Sequence, residues 1–553
     1  VEAKVEVSFD SNRKADASCN VAFQLAGKAK QTPKEIAERI AAKIKPEKHV
    51  EKITGLNGFV NFTFSPQYYS DALSYSGKKT FGEKLQNKKT VVVEYSCPNV
   101  GKPLHIGHIR STILGDSVKK LLASCGYNAI GFNYLGDSGA QVAKLLLALE
   151  IYKDLPEVKT EKDLLKYYVK INEEIEKDDA LKLRERDILE KIENGNAAVQ
   201  SGLEKVRQLS LKAFDSSYKI LGVEFDESKG ESFYIETAKQ IVQECIEKEI
   251  AFKDKGGEMV AKLEPQIPNA ILVRSNGTTL YLTRDLSLAD YKFNKYHFDK
   301  SVIITANEQN LHFKQVFAIL NKLGRSYNNS HIGFGLINIE GQKMSTRLGK
   351  VLLLADVINE AKAEAKKEIT SRDGNLKARE LNKRALAIGL AALKFAVLKV
   401  SPEKDINFNF KSMVAFEGDT GAYLQYSLVR CKSILQKASE KQREKQGEKE
   451  ETQKEKNTTR KNYEFNNEEK ELVLHLSAFP LVVENACNSS SPHTICDYLL
   501  RTAGVFSTFY AKHSVLDAES EAAKGTRLEI VKATANVMQK GLNLLGITPL
   551  DKM

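Results

Sequence analysis

The stretch TVVVEYS, residues 90–96, is an apolar run without the polar alternation of a half-exposed strand. Such a run is typical of a parallel β-strand that is covered on both faces. The loop CPNVGKP follows at 97–103, and a helix-forming stretch then begins, in which Ile109, Ile113 and Val118 face inward. Strand, loop and helix in this order form the first half of a βαβ unit, so the chain is restricted to folds in which helices cover a parallel sheet.

Later segments extend this α/β pattern. The apolar run SVIITA at 301–306 also leads into an amphipathic helix. Residues from about 151 to 262 are highly charged with helical periodicity, and AILVRS and TTLYL flank an Asn276-Gly277 turn that favours a hairpin. We therefore predict a Rossmann-type parallel sheet over 86–345 that is interrupted by a helical insertion at about 151–262.

Smaller parts flank this predicted sheet. Residues 1–85 are expected to form a small α/β domain, because TPKEIAERIAAKI places Thr32 as N-cap and Glu35 at the third helical position, and GFVNFTF alternates like a half-buried strand. Connecting helices are predicted over 346–402 and an all-α bundle over 403–553. Within the bundle, the run 440–462 is too polar to bury anything, which predicts a surface loop.

Two histidines, His105 and His108, lie at the predicted start of the first helix. A zinc site would need further ligands at suitable spacing, and the nearest other histidine in sequence, His49, lies in the N-terminal part. Two exposed histidines on a helix surface are a second interpretation. In the third, the backbone N–H groups of the helix start bind an anion, the imidazoles donate to phosphate, and Gly107 lets a flat base approach. This last interpretation predicts a nucleotide-binding site.

Charge and cysteine content narrow the class of protein. The formal net charge is +11, from 83 basic and 72 acidic residues, and no stretch is long and apolar enough to cross a bilayer. A basic excess favours a polyanionic partner such as nucleic acid, although many enzymes without one are mildly basic. The seven cysteines form no CxxC pair, which indicates a reducing compartment and no structural zinc. Because the chain begins at Val1, we expect the natural start to be absent and any targeting segment with it.

The stretch PLHIGH resembles the HIGH signature of class I aminoacyl-tRNA synthetases. Roughly 240 residues downstream, GQKMSTRLGK (341–350) resembles the KMSKS loop of the same class. This resemblance implies that ATP is bound by His105, Gly107, His108, Lys343, Met344 and Ser345. It also implies that His105, Gly107, His108 and Lys343 are catalytic. Thr346 replaces the second lysine of the loop, so we expect Lys102, three residues before His105, to supply the missing charge to the transition state.

Further blocks resemble the arginyl-tRNA synthetase family over nearly the whole chain. They are VEYSCPNVGKPLHIGHIRST, NYLGDSGAQ, LYLTRDL, ANEQNLH and FEGDTGAYLQYSLVR. The family implies that L-arginine is activated with ATP, that Mg²⁺ accompanies the ATP, and that the arginyl group passes to tRNA(Arg). One departure is Ser138, where family members commonly carry a tryptophan, beside the candidate site residues Asp137 and Gln141.

A guanidinium is planar and permanently charged, so its pocket needs carboxylates and a flat surface. Tyr281 and Asp285 are four residues apart and would share one face of a helix. The resemblance assigns both to the guanidinium, and Gln309 to a further polar contact. It assigns the other polar groups of arginine to Glu94, Asn99 and the Cys97-Pro98 backbone, and it places His108 between arginine and ATP. Taken alone, Tyr281 and Asp285 could equally be a helix residue and its solvated neighbour.

In GAYLQYSLVR, Tyr423, Tyr426 and Arg430 form one helical stripe, for which core packing is the default interpretation. The resemblance assigns these residues, with Tyr510 and Met553, to the anticodon loop, where unstacked bases can stack on rings. It also assigns D-loop contacts to three N-terminal residues: Asn20, Phe23 and Gln24. For Phe23, a place in the core is an equal alternative.

Together these patterns predict a cytoplasmic, monomeric arginine-activating enzyme whose partners are tRNA(Arg), L-arginine and ATP, without membrane association. Two alternatives stay open. A synthetase for a different amino acid would share the HIGH stretch but lack the set Tyr281, Asp285 and Gln309. A tRNA-binding protein without catalysis would keep the helical C-terminal part while losing the histidines or the loop cations.

Overall fold

The computed structural model describes residues 7–8, 15–152, 161–193, 196–339, 352–372, 376–445 and 463–553. In these segments no helix has the length and apolar character needed to cross a membrane. Three parts follow one another along the chain: a small N-terminal module, a parallel sheet covered by helices, and a C-terminal set of helices.

The N-terminal module is a four-stranded antiparallel sheet with helices on it, in the strand order β1-β2-β4-β3. Its elements are β1 (Val7–Ser8), β2 (Ala17–Cys19), α1 (Val21–Ala29), α2 (Pro33–Lys43), β3 (Val50–Leu56), β4 (Phe59–Phe64) and α3 (Pro66–Ser76). The predicted start of α2 is confirmed, since the Thr32 side chain accepts from the Glu35 N–H and Glu35 reciprocates. The structure of the module therefore contains the strand and the capping box that the sequence predicted.

The central sheet has five parallel strands in the order β12-β11-β5-β6-β7. They are β5 (Thr90–Glu94), β6 (Asn128–Leu135), β7 (Glu227–Gly230), β11 (Lys300–Ala306) and β12 (Asn329–Phe334). The valines of β5 are at most 1% exposed, which confirms a strand covered on both faces. From β5 the chain builds β6 and β7 on one side and then returns to build β11 and β12 on the other. The carboxyl ends of β5 and β11 thus border the topological switch point, where sheets of this kind bind ligands.

Helices cover and extend this sheet. They are α4 (Ile106–Ser124), α5 (Ala140–Ile151), α6 (Glu161–Lys177), α7 (Asp179–Glu193), α8 (Ala197–Leu221), α9 (Ile235–Glu247), α10 (Tyr281–Tyr296) and α11 (Asn310–Lys322). A small antiparallel sheet in the order β10-β9-β8 lies between α9 and α10 in sequence: β8 (Ala251–Lys253), β9 (Met259–Ala261) and β10 (Ala270–Val273).

Two predictions about this region differ from the structure. The segment 151–262 is not a purely helical insertion, because β7 within it pairs with β6 in the central sheet. Its sequence, ESKG, carries no apolar pattern that would mark a strand. TTLYL forms only the beginning of the second strand of a hairpin: the N–H of Arg274 donates to the Thr278 carbonyl, the N–H of Leu280 donates to the Leu272 carbonyl and Val273 bridges Thr279, but α10 already begins at Tyr281.

The C-terminal part is helical apart from one short strand pair, β13 (Ile337–Ile339) with β14 (Ile406–Phe408). Its helices are α12 (Leu354–Arg372), α13 (Ala378–Leu398), α14 (Phe410–Met413), α15 (Gly421–Lys445), α16 (Asn467–Ser477), α17 (Phe479–Asn488), α18 (His493–Lys512) and α19 (Glu521–Leu544). Helix α15 continues to Lys445, so the first residues of the predicted loop 440–462 are helical. Residues 446–462 lie outside the described residues.

One hydrophobic core joins the sheet to the C-terminal helices. A single cluster of buried side chains runs from Tyr69 to Ile547 and includes residues of β5, α4, α13 and α19. Polar contacts reinforce it: Ser117 Oγ donates to the carbonyl of Leu544 at 2.9 Å, and Lys394 Nζ donates to the carbonyls of Leu221, at 2.5 Å, and Gly546. Burial lowers the pKa of Lys394 to about 8. Helix α4 therefore packs in one core with the sheet and with the C-terminal helices.

Candidate active site

The two histidines open helix α4 as a reciprocal cap. The N–H of Gly107 donates to Nδ1 of His105, and the N–H of His105 donates to Nδ1 of His108, each at 3.1 Å. Because each Nδ1 is an acceptor, the proton of each neutral ring lies on Nε2. Burial is the main cause that lowers the pKa of His105 to about 4 and the pKa of His108 well below its ordinary value. Both rings are thus neutral at physiological pH, with an Nε2–H to donate.

The backbone N–H groups at the start of α4 differ from the sequence-based expectation. Those of residues 105–108 all have acceptors within the protein: the His108 ring, the carbonyl of Leu352, the His105 ring and the carbonyl of His105, in that order. The donors that this helix start offers to an anion are therefore the two imidazole Nε2–H groups, supported by the helix dipole, rather than these four amides. A Cβ on Gly107 would lie 2.9 Å from Cε1 of His105, so the glycine leaves room for the ring that caps it.

The predicted loop residues Lys343, Met344 and Ser345 lie outside the described residues, as do Thr346 and Arg347. The chain on the C-terminal side of this segment is fastened to the helix start, because the N–H of Ile106 donates to the Leu352 carbonyl at 3.1 Å and the N–H of Leu354 donates to the Leu104 carbonyl at 2.8 Å. His105 and Leu353 form an antiparallel bridge between these two bonds. The segment therefore ends directly beside the histidine pair.

Arg110, on the second turn of α4, fastens the chain on the other side of that segment. Its guanidinium is 1% exposed and donates to four carbonyls, most closely those of Gly335 at 2.6 Å and Pro402 at 2.8 Å. Burial lowers the pKa of Arg110 to about 10, which still leaves it charged.

Lys102, the expected substitute for the missing loop lysine, is half-buried beside the histidines. Its positive charge contributes to the lowered pKa values of both rings. Its Nζ lies 4.7 Å from the ring centroid of Tyr168 on α6, which is a cation–π contact. The sequence predicted the helical segment but not this contact.

After β5 the chain turns through two residues in the left-handed region, Ser96 (φ +74°) and Cys97 (φ +49°). The turn is fixed by bonds from the Ser96 N–H to Ser111 Oγ at 2.9 Å and from the Cys97 N–H to Asn133 Oδ1 at 3.2 Å. Such backbone costs about 1–3 kcal/mol per residue and is usual at binding sites. Pro98 is buried and Asn99 is exposed, with its Oδ1 accepting from Gln141 Nε2 at 3.3 Å.

Tyr281 begins α10 and Asp285 lies one turn further along the same face, as predicted, and a neighbour from α11 joins them. His312 Nε2 lies 2.5 Å from Asp285 Oδ2, and the His312 ring packs on the Tyr281 ring with centroids 4.6 Å apart. Tyr281 is 53% exposed, whereas His312 is 6% exposed. Gln309 is half-buried and caps the start of α11, one turn before His312. We call the region at the carboxyl ends of β5 and β11 the cleft. The structure thus brings Tyr281, Asp285 and Gln309 to one side of this cleft.

Two buried ion pairs border these residues. Glu94 Oε2 accepts from Lys292 Nζ at 2.6 Å, and Glu231 Oε1 accepts from Arg284 Nη1 at 2.7 Å. Burial raises the pKa of Glu94, and the pKa of Glu231 to about 7, while Lys292 and Arg284 oppose these shifts. Asp285 lies near both carboxylates, since its charge contributes to both shifts. Each pair is neutral when both of its partners are ionised, and Asp285 is the carboxylate of this cluster that forms no ion pair with a lysine or arginine among the described residues.

Sequence reasoning missed Tyr134, on β6. Its hydroxyl is buried without a hydrogen-bond partner among the described residues, and burial, with the nearby charges of Asp285 and Glu231, raises its pKa. The signal available was its position near the carboxyl end of a strand beside β5.

Asp137 is engaged elsewhere, since it accepts from Arg207 Nη2 and from the N–H and Oγ of Ser232. Ser138 accepts from Arg284 Nη1 at 2.6 Å.

The residues predicted to contact tRNA lie on two separate surfaces. At the start of α1, Asn20, Phe23 and Gln24 are exposed, and Phe23 packs its edge on Phe59 with ring centroids 5.1 Å apart. Phe23 is 47% exposed, which contradicts a place in the core.

On α15, Tyr426 is exposed while Tyr423 and Arg430 are half-buried. The Arg430 guanidinium lies 4.4 Å from the Tyr510 ring centroid on α18, and Met553 packs partly against the core. The predicted stripe is therefore a partly accessible face rather than pure core.

Family comparisons agree with this arrangement. Residues 70–410 match the tRNA synthetases class I (R) catalytic domain, 424–553 the DALR anticodon binding domain, and 1–64 the arginyl tRNA synthetase N-terminal domain. The fold and its histidine-capped helix thus define a class I aminoacyl-tRNA synthetase.

Curated relatives make the family specific. The arginine–tRNA ligase of Clostridium kluyveri is 36% identical over 539 residues, 96% of this chain and 93% of that protein, and the enzyme of Clostridium perfringens is 37% identical over 540 residues with the same coverage. The chain belongs to the arginyl-tRNA synthetase family. The solved arginyl-tRNA synthetase of Thermus thermophilus shares the fold, with a TM-score of 0.84, 23% identity, and coverage of 100% of this chain and 97% of that one.

Proposed function

We propose that the protein is an arginine–tRNA ligase, which activates L-arginine with ATP to arginyl-adenylate and transfers the arginyl group to the 3′-terminal adenosine of tRNA(Arg). The observation that carries this proposal is the charge balance of the cleft. Two ion pairs cancel, and Asp285 is left beside a Tyr281 ring that is half-open to solvent. One negative charge and one flat surface complement one planar monocation.

For the ATP side, we assign the triphosphate to His105 and His108 through their Nε2–H groups, with Gly107 keeping the cap in place. Lys102, Lys343, Met344 and Ser345 would add the remaining contacts, and Mg²⁺ would arrive with the nucleotide. No side chain forms a covalent bond in this scheme. Positioning and charge stabilisation lower the barrier, as in phosphoryl transfer generally.

For the arginine side, Asp285 would bind the guanidinium while Tyr281 supplies the flat surface and Gln309 a polar contact. Glu94 retains lone pairs beyond the one that Lys292 occupies, so it can still accept from the substrate. Asn99 and the backbone of Cys97 and Pro98 would bind the remaining polar groups, where the fixed turn after β5 holds them ready. A shorter neutral amino acid would leave the Asp285 carboxylate without the guanidinium, and a site of this kind can discriminate by about 10⁴ to 10⁵.

For the tRNA side, the two surfaces would bind two parts of one molecule: Asn20, Phe23 and Gln24 the D-loop, and Tyr423, Tyr426, Arg430, Tyr510 and Met553 the anticodon loop. We further propose that the protein acts as a cytoplasmic monomer. Sedimentation with and without tRNA measures the oligomeric state.

The test is ATP–pyrophosphate exchange against a panel of amino acids, with and without tRNA. Exchange that requires arginine supports the proposal, and the comparison with and without tRNA shows whether tRNA is needed for activation. Exchange with a different amino acid would identify a synthetase of other specificity. Binding of tRNA without any exchange would identify a protein that has lost catalysis.

A further inference from the structure

His312 is a buried histidine that no assignment above uses. It lies on the first turn of α11, one turn after Gln309, and is 6% exposed. Its Nε2 lies 2.5 Å from Asp285 Oδ2, and its ring covers one side of the Tyr281 ring. One side chain thus contacts both residues that we assign to the guanidinium.

The contact between His312 and Asp285 decides which ring nitrogen donates the hydrogen bond. An ionised carboxylate only accepts hydrogen bonds, so Nε2 must carry the proton that bonds Asp285. Nδ1 is buried and has no hydrogen-bond partner among the described residues. The hydrogen bond from Nε2 therefore holds the Asp285 carboxylate in one orientation.

We propose that His312 is a positioning residue that sets the affinity for arginine by fixing the Asp285 carboxylate and the Tyr281 ring. This inference rests on the proposed function. With Oδ2 engaged by His312, the lone pairs of Oδ1 stay open to the guanidinium, and the plane of the carboxylate no longer rotates. His312 does not touch the reacting atoms, so its loss should weaken binding and leave the chemical step intact.

The experiment compares two amide substitutions that differ in reach. In His312→Gln the side-chain nitrogen can take the place of Nε2 and donate to Asp285, whereas in His312→Asn it is too short to do so. His475→Asn is the matched control, because His475 is a half-buried histidine of the anticodon-binding part that bonds Thr502. ATP–pyrophosphate exchange with tRNA present gives kcat and the KM values for arginine and for ATP, and a thermal melt verifies that each variant is folded.

We expect His312→Asn to raise the arginine KM about 10- to 100-fold, the usual effect of losing a hydrogen bond to a charged group. The ATP KM and kcat should change less than about threefold, and His312→Gln should recover most of the loss. An arginine KM that is unchanged in His312→Asn, that rises equally in both His312 variants, or that rises equally in the His475 control would overturn the inference. If the unsubstituted protein shows no exchange with arginine, the proposed function fails instead.

Discussion

Replacing Lys292 by methionine should expose how strongly the arginine side of the cleft depends on its buried ion pair. Lys292 is 1% exposed and Glu94 is 3% exposed, and 2.6 Å separates Nζ from Oε2. Methionine has nearly the same length and leaves little cavity, so the main effect is a carboxylate without its partner. Removing one partner of a buried pair costs about 3–5 kcal/mol, and we expect a loss of that size in the free energy of unfolding at pH 8.

The same loss should depend on pH. Burial already raises the pKa of Glu94, and without Lys292 it rises further above its value in the unfolded chain. The folded state then binds more protons than the unfolded state, so the stability of Lys292→Met falls as pH rises through the folded pKa. Urea denaturation at pH 5.5 and at pH 8 should give the larger deficit at pH 8.

A double-mutant cycle separates this charge effect from lost packing. Lys292→Met combined with Glu94→Gln should be more stable than the sum of the single losses implies, by about 2 kcal/mol, because no unpaired charge remains. Single losses below about 1 kcal/mol at both pH values, or strict additivity in the double variant, would refute the reasoning.

Three further predictions follow from the site. Arg110→Leu removes the donor of four carbonyls, so unfolding by urea should require about 3–5 kcal/mol less. The ATP KM should rise more than the arginine KM, because the chain at Gly335 and Leu336, which leads to Lys343, is released; an unchanged ATP KM would contradict that link. Asp285→Asn should raise the arginine KM far more than the ATP KM in exchange assays, and equal effects would count against its assignment. Burial lowers the pKa values of His105, His331 and His475 to about 4, below the ordinary 6.5. Between these two pH values the unfolded chain binds more protons than the folded chain. The free energy of unfolding should therefore fall as pH falls from 6.5 to 4. His475→Gln should reduce that slope by close to one proton, as measured by denaturation across the pH range. An unaltered slope would show that folding does not change the pKa of His475.

Much of the fold was predictable because its signals are local. The apolar run that forms β5, the capping box at Thr32 and the helical spacing of Tyr281 and Asp285 each occupy a few neighbouring residues. The strand β7 was missed for the same reason, since its four polar residues gain their structure from pairing with β6 rather than from their own pattern.

The site was predictable in its residues but not in its contacts. Lys292 and His312 read as ordinary helix positions, yet they meet Glu94 and Asp285 across 198 and 27 residues of chain. The engagement of the amides at the start of α4 depends likewise on Leu352, far along the sequence. Pairings of this kind depend on how strands and helices stack, which a local pattern does not record.

The core shared by the sheet and the C-terminal helices has a consequence for damaged chains. Side chains of α19 pack in the same cluster as those of α4, and Leu544 accepts from Ser117 on the helix that the histidines cap. The sheet and the C-terminal helices therefore share one buried cluster and should melt in one calorimetric transition. A premature stop codon that removes α19 would remove side chains that pack in the same cluster as those of helix α4. Such a chain would not persist as an activating enzyme with poor tRNA recognition; it would be a substrate for proteolysis.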